Sequence, residues 1–197
     1  MTEDRKTWRI RSARNIYSNP WICVREYDTI APTGAPAQYG LVHIRNLAIG
    51  VLPIDEQGRT ILIGQERFTM GRYSWELPEG GGHPERPPLE SAQRELSEEA
   101  GLKADHWMPL LADTHLSNSI TDERAYAFLA WGLGADTSSQ PDDSEDLTVR
   151  RVPFKVALQM ALSGEITDVF SLVMLLKASH LAENGELPDD VTKLIRG

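Results

Sequence analysis

Residues Leu77 to Leu102 read LPEGGGHPERPPLESAQRELSEEAGL, and the rest of the chain is organised around them. Gly80, Gly81 and Gly82 read as a Gly-rich turn, and Pro84, Pro87 and Pro88 punctuate the lead-in to a short helix. Leu89, Ala92, Leu96 and Ala100 recur at helical spacing, so one stripe of that helix faces a core. Gly101 stands where a helix C-cap is wanted. At about 100° per residue, Glu95 and Glu99 fall roughly 40° apart beside this stripe, with Glu98 on the other side of Glu95. Three carboxylates therefore crowd one flank of the helix, at the boundary between core and solvent.

A solvated acidic face is the plain alternative, and it fits poorly. Like charges at i,i+4 cost a helix about 0.2–0.5 kcal/mol per pair. Only Arg94, four residues before Glu98, offers local relief. Partial exclusion of water leaves the repulsion less screened. A hard divalent cation removes the conflict: Mg²⁺ takes oxygen ligands, keeps some waters and is held by carboxylates together with substrate phosphates.

These residues resemble the box of the Nudix hydrolases: Gly, five residues, Glu, seven residues, Arg-Glu, an apolar residue, any residue, Glu-Glu, any residue, Gly, apolar. Gly80 fits the first glycine, and Arg94-Glu95-Leu96-Ser97-Glu98-Glu99-Ala100-Gly101-Leu102 fits the second half throughout. The position of the first box Glu holds Arg86, with Glu85 one residue earlier. Glu85, on a Pro-flanked turn, is expected to swing in and restore a pairing with Arg94; the alternative is an empty place and a slower site.

The chain has 197 residues, enough for one domain with a sizeable core and an appended element. Its 41% hydrophobic and 25% charged residues are ordinary for a globular protein. A net charge of −9 argues against a general nucleic-acid binder, which would show a basic stripe. It does not exclude an anionic small molecule, because bound metal inverts the local charge. No apolar run long enough for a membrane span and no signal peptide is read, and the single cysteine, Cys23, sits in a strand-like apolar run. Cytoplasm is the expected compartment.

Strands are predicted at 7–17, 20–30, 39–44, 47–54, 60–68, 73–77, 107–115, 124–133 and 149–153, with a hairpin turn at Asp55-Glu56-Gln57-Gly58. Helices are predicted at 154–163 and 169–181. Residues 1–6 are expected to fray, 138–146 to form a loop, and the polar tail from Glu183 to be loosely held. Many strands with few helices make this an α+β fold, helices covering a mixed sheet. The resemblance sharpens it to a Nudix α/β/α sandwich preceded by an N-terminal β-rich segment. The division expected is 1–44 for that segment, 45–182 for the Nudix domain and 183–197 for the tail. Trp8, Trp21 and Tyr39 in the first segment are assigned to core packing.

Outside the box, Gly64-Gln65-Glu66-Arg67-Phe68 and Trp75-Glu76-Leu77-Pro78-Glu79 resemble the ADP-ribose pyrophosphatase branch of the family, which implies that Arg67 and Glu76 lie close to substrate. Read without the resemblance, they are an exposed cross-strand pair worth little. The polar loop 116–124 precedes an apolar strand, and the same branch places there a carboxylate that binds metal or activates the attacking water. Glu123 matches best, with Asp122 in reserve. His43, His83, His106, His115 and His180 show no ligand spacing and are read as structural or surface residues.

The resemblance thus implies Mg²⁺-dependent (or Mn²⁺-dependent) hydrolysis of a nucleoside diphosphate linked to another group, with ADP-ribose giving AMP and ribose 5-phosphate. Glu95, Glu99 and Glu98 and the main-chain carbonyl of Glu79 are the expected metal ligands. Glu123 and Glu98 are the candidate catalytic carboxylates, and Arg67, Glu76, Gly80 and Gly81 the candidate substrate contacts. GDP-mannose or another nucleotide sugar is an alternative substrate, and a Nudix-fold sensor that binds nucleotide without hydrolysis is an alternative of another class. A homodimer through the N-terminal segment is expected, without nucleic acid or membrane as partner.

Overall fold

In the computed structural model the described residues are 7–136, 138 and 146–197. The expected fraying of 1–6 and most of the loop expected at 138–146 lie outside them. The chain opens with three antiparallel strands, β1 (Arg9–Ser18), β2 (Ile22–Ile30) and β3 (Pro36–Ile44), forming a sheet of their own in the order β1-β2-β3. β4 (Leu47–Ile54), β5 (Arg59–Arg67), β6 (Arg72–Glu76) and β7 (Glu79–Gly82) lead to helix α1 (Pro88–Ala100). Then come β8 (Leu102–His115), β9 (Arg124–Ala135), β10 (Thr148–Pro153), α2 (Phe154–Ser163), α3 (Val169–Asn184) and α4 (Asp189–Arg196).

β4 is the centre, because both of its faces are buried. Leu47, Ile49 and Val51 point to one side, where they join Ala92 and Leu96 of α1. Ala48, Leu52 and Ile54 point to the other, where Phe170, Met174 and Leu175 of α3 cover them. Gly50 lies between: a Cβ there would come within 2.8 Å of Met174 and 2.9 Å of Phe170, so only glycine lets α3 approach. β4 pairs parallel with β9 and antiparallel with β7, giving a mixed sheet β7-β4-β9-β8 beside a smaller sheet β10-β5-β6. With α1 on one side and α2, α3 and α4 on the other, the expected α/β/α sandwich is present. No helix among the described residues is long and apolar enough to cross a membrane.

Three expectations are corrected. The Gly-rich stretch 80–82 is a strand, pairing Gly80, Gly81 and Gly82 with Ile49, Ala48 and Leu47. Small residues are needed there because α1 lies close: a Cβ on Gly82 would sit 2.7 Å from Ile49 Cγ1 and 3.1 Å from Ser91 Oγ. The tail is not loose either. Leu187, Val191 and Ile195 are buried in the cluster under α3, and Gly58, at φ +68°, turns so closely against the Leu194 carbonyl that a Cβ would be 2.3 Å away. Trp8, Trp21 and Tyr39 do not pack in a core; they are 49%, 67% and 37% exposed, on a sheet whose first strand is exposed along its whole length.

Candidate active site

Helix α1 starts on Pro88, a position where the missing N–H costs nothing, and ends on Gly101 in the left-handed region, whose N–H returns to Leu96 and Ser97 carbonyls. Its carboxylates do not share one environment. Glu95 and Glu99 are buried, each 6% exposed, whereas the Glu98 side chain is 27% exposed on the rim. Glu95 lies directly against Gly80, with no room for a side chain between them. Glu99 Oε2 accepts the Glu79 amide at 2.9 Å. Helix and strand are thus joined at the two carboxylates that the sequence marks most strongly.

Arg94 holds this flank together. Its guanidinium pairs with Glu95 and with Glu98, and Nη2 donates to the Gly81 carbonyl at 2.7 Å. Among the described residues no ion pair joins Glu85 to Arg94: Glu85 and Arg86 are both exposed, and the Glu85 amide bonds His83 Nδ1. The expected swing of Glu85 is therefore replaced by a pairing within the helix, since Glu98, one turn away, is the nearer partner.

Arg67 ends β5 opposite Arg72, and Glu76 ends β6 four positions further along the register, opposite Ile63, so the two meet through the reach of their side chains. Arg67 Nε lies 3.0 Å from both Glu76 oxygens, and Nη2 also bonds Oε2. Glu76 is only 4% exposed, so this is not the exposed pair of little worth. The Glu76 hydrogen bond holds the Arg67 guanidinium above its ordinary pKa against the opposing effect of burial. Arg67, Glu79, Gly80 and Glu123 line one cleft of about 220 Å³, together with Asp168 and Phe170. Burial pushes the Glu123 carboxyl above its usual pKa. Burial, with Asp168 nearby, pushes Glu79 well above the carboxylate range, although the Ser171 hydroxyl donates to it at 2.7 Å.

Of the predicted site residues, Arg67, Glu79, Gly80 and Glu123 share the cleft, Glu76 backs it through Arg67, and Glu95 and Glu99 lie behind Gly80 and Glu79. Glu98 and the exposed Gly81 stay on the rim, tied to Arg94. The sequence reading missed Asp168, Phe170 and Ser171. Asp168 Oδ2 caps α3 by accepting the Ser171 amide at 2.6 Å, and Ser171 Oγ also accepts the Leu77 amide at 2.8 Å. An Asp three residues before a Ser at the head of an apolar run is an N-cap signal that could have been read; the reach of Ser171 to Glu79, 92 positions away, has no local signature.

Among the described residues no three His, Cys, Asp or Glu side chains converge as a ready metal cage. The arrangement still suits Mg²⁺, which is bound through one or two carboxylates plus substrate phosphates rather than by an all-protein cage. The donors are hard oxygens, and the buried carboxyl groups here outnumber the two guanidiniums, Arg67 and Arg94.

A model of the NUDIX domain matches residues 44–170. The chain belongs to the Nudix family. It is 33% identical to the ADP-ribose pyrophosphatase of Mycobacterium tuberculosis over 143 residues, 70% of this chain and 67% of that one. It is 26% identical to the CMP-5'-(N-acetyl-N-hydroxy-3-aminopropyl)phosphonate hydrolase of Streptomyces rubellomurinus over 182 residues, 92% of this chain and 86% of that one. A solved structure described as an ADP compounds hydrolase superposes with a TM-score of 0.82 at 19% identity, covering 94% of this chain and all of that one, which shows the common fold. This Nudix protein is thus similar to the ADP-ribose pyrophosphatases in sequence, and its sandwich is that of the family.

Proposed function

We propose that this Nudix protein hydrolyses the diphosphate of ADP-ribose to AMP and ribose 5-phosphate. The observation that carries the reading is the cleft itself: Glu123 shares it with Arg67 and Gly80, while Glu95 and Glu99 stand buried behind its glycine wall. Glu95 and Glu99, with Glu98 and the Glu79 main-chain carbonyl, would hold Mg²⁺, or Mn²⁺ in its place. Bound there, the ion supplies neutralisation of phosphate charge and a lower pKa for the attacking water.

Glu123 receives the proton of that water. Its raised pKa suits a base that must first lose its own proton and then hold the one it takes. Arg67 grips a phosphate: Nε and one hydrogen of Nη2 are taken by Glu76, which orients the planar fork and leaves both Nη1 hydrogens and the second Nη2 hydrogen as donors. Gly80 keeps the cleft wall free of side chain. Arg94 holds Glu95 and Glu98 in place until ligands compete for them.

A nucleotide other than ADP is the second reading, favoured by the match along 92% of the chain to a hydrolase of a CMP compound. The chain is further proposed to work in the cytoplasm, where the buried thiol of Cys23 stays reduced, and as a homodimer through its N-terminal sheet. The apolar groove of about 330 Å³ on that sheet, lined by Trp8, Ile10 and Tyr39 among others, supports the pairing. Light scattering at micromolar concentration checks it, and a mass of one chain refutes it.

The activity is tested by turnover on ADP-ribose, GDP-mannose, other nucleotide sugars and CMP-linked compounds, each with Mg²⁺, with Mn²⁺ and with excess chelator. ADP-ribose is expected to give the highest kcat/KM, and chelator to abolish turnover. Hydrolysis that persists in chelator sinks the mechanism; a higher kcat/KM on another member of the panel moves the substrate.

A further inference from the structure

Two consecutive carboxylates, Asp122 and Glu123, part ways at the end of the loop joining β8 to β9. Glu123 faces the cleft. Asp122 turns instead to β3, where its Oδ1 accepts the Ile44 amide at 3.0 Å and its Oδ2 lies 2.6 Å from His43 Nδ1. A carboxylate only accepts, so His43 carries a proton on Nδ1 and donates it.

The same loop is tied to β3 twice more. The Val42 amide donates to the Ile120 carbonyl at 2.9 Å, beside a parallel bridge between Val42 and Thr121. The Tyr39 hydroxyl donates to the Ser119 carbonyl at 2.7 Å, and the Tyr39 ring is itself met edge-on by Trp8 with centroids 5.6 Å apart. The residues from Ser119 to Asp122 are thus pinned along one strand, immediately before Glu123.

Stability does not explain this arrangement. The side chains of His43 and Asp122 are 37% and 41% exposed, and exposed pairs contribute little to folding. What the ties fix is position. A polar loop is otherwise the most mobile part of a fold, and a reacting group displaced by about 1 Å can lose two orders of magnitude in rate.

We propose that β3 clamps the loop 116–123, and that His43 and Asp122 are positioning residues which hold the Glu123 carboxylate at the cleft. The inference rests on the reading of Glu123 as the proton acceptor. It gives the N-terminal sheet a part in the chemistry of its own chain, separate from any contact with a second copy.

The test is a double-mutant cycle between His43→Ala and Glu123→Gln on the full chain with Mg²⁺ and ADP-ribose, using enzyme in excess where turnover is slow. With Glu123 present, His43→Ala is expected to lower kcat about tenfold while KM stays within about twofold. Asp122→Ala should match it, and Asp122→Asn, which keeps an oxygen for the Ile44 amide, should recover most of the loss. In the Glu123→Gln background, His43→Ala should cost nothing further, because the group being positioned is already gone. Hydrogen exchange at 116–123 should quicken in His43→Ala while β4 and β9 stay protected.

An equal cost of His43→Ala in both backgrounds, or unchanged kcat in the first, overturns the clamp and leaves the role of Glu123 standing. Parental kcat in Glu123→Gln overturns both. Should His43→Ala fail to fold, Tyr39→Phe removes one tie and keeps the ring. Its smaller loss of about threefold should likewise vanish in the Glu123→Gln background, and a loss that persists there overturns the clamp.

Discussion

Gly80 and Glu95 are in contact with no space between them: a Cβ on Gly80 would lie 2.1 Å from Glu95 Cδ and 2.2 Å from Oε1. Gly80→Ala must therefore displace the carboxylate. It is expected to lower kcat by more than about tenfold, in keeping with the loss of a placed ligand, and to raise the Mg²⁺ concentration needed for half-maximal rate. Gly81→Ala is the control, since its Cβ would meet only Asn46 Nδ2, at 3.3 Å, on an exposed backbone. Steady-state rates against Mg²⁺ concentration separate the two, and equal behaviour would refute the distinction.

Glu99→Gln removes one buried carboxylate charge while keeping an oxygen for the Glu79 amide. Turnover should fall by at least about two orders of magnitude, as for removal of an essential electrostatic group. Thermal melting without added metal should stay within a few degrees of the parent or rise, because a like charge beside Glu95 has gone. A rate within threefold of the parent would remove Glu99 from the metal site.

Glu85→Ala tests whether the first box carboxylate is dispensable. Arg94 is already engaged by Glu95, Glu98 and the Gly81 carbonyl, and Glu85 lies exposed. Activity is expected within about threefold of the parent, as for a surface change away from a special feature. A tenfold loss in kcat would show that Glu85 reaches the site during turnover.

The half-buried Glu123 carboxyl gives a pH signature. Burial raises its pKa above the ordinary value of about 4.3. Below that raised pKa the group keeps its proton and cannot take one from water, so kcat/KM should climb with pH through a limb displaced upward from a free glutamate. The limb should disappear in Glu123→Gln, leaving a lower and flatter profile. An unchanged limb in that variant assigns the titration to another group.

Much of this was legible because the signals are local. The spacing of Leu89, Ala92 and Leu96 marks the buried stripe of α1, and Arg94 to Leu102 marks the box without help from the fold. What failed to show were relationships set by partners far along the chain. Gly80 to Gly82 carry the composition of a turn, yet they pair with β4 as a strand, with Glu95 against Gly80 and Ile49 and Ser91 against Gly82 leaving no room for side chains at those two positions. The tail reads as polar, but Val191 and Ile195 fall on one side of a short helix and, with Leu187 just ahead of it, close the cluster under α3. β8 begins at Leu102 rather than near Trp107, since pairing with the far end of β9 overrides the weak strand preference of Lys103-Ala104-Asp105.

That helix can be tested directly. Ile195 is 4% exposed, and Ile195→Ala should lower stability by about 2–4 kcal/mol through lost burial and the cavity left behind. Chemical denaturation measures it. A change below about 0.5 kcal/mol would mean that the tail adds nothing to the core.

The parallel pairing of β4 with β9 has a consequence for how the chain reaches its fold. Ala48 meets Ala125, and everything from β5 to β8, box included, lies on the excursion between them. Non-local pairing of this kind makes the search slow, because the ends must meet before the contacts reward them. Truncations within β4 or β9, such as Leu52→Ala, should slow refolding in stopped-flow experiments, whereas truncations in α4 should chiefly hasten unfolding.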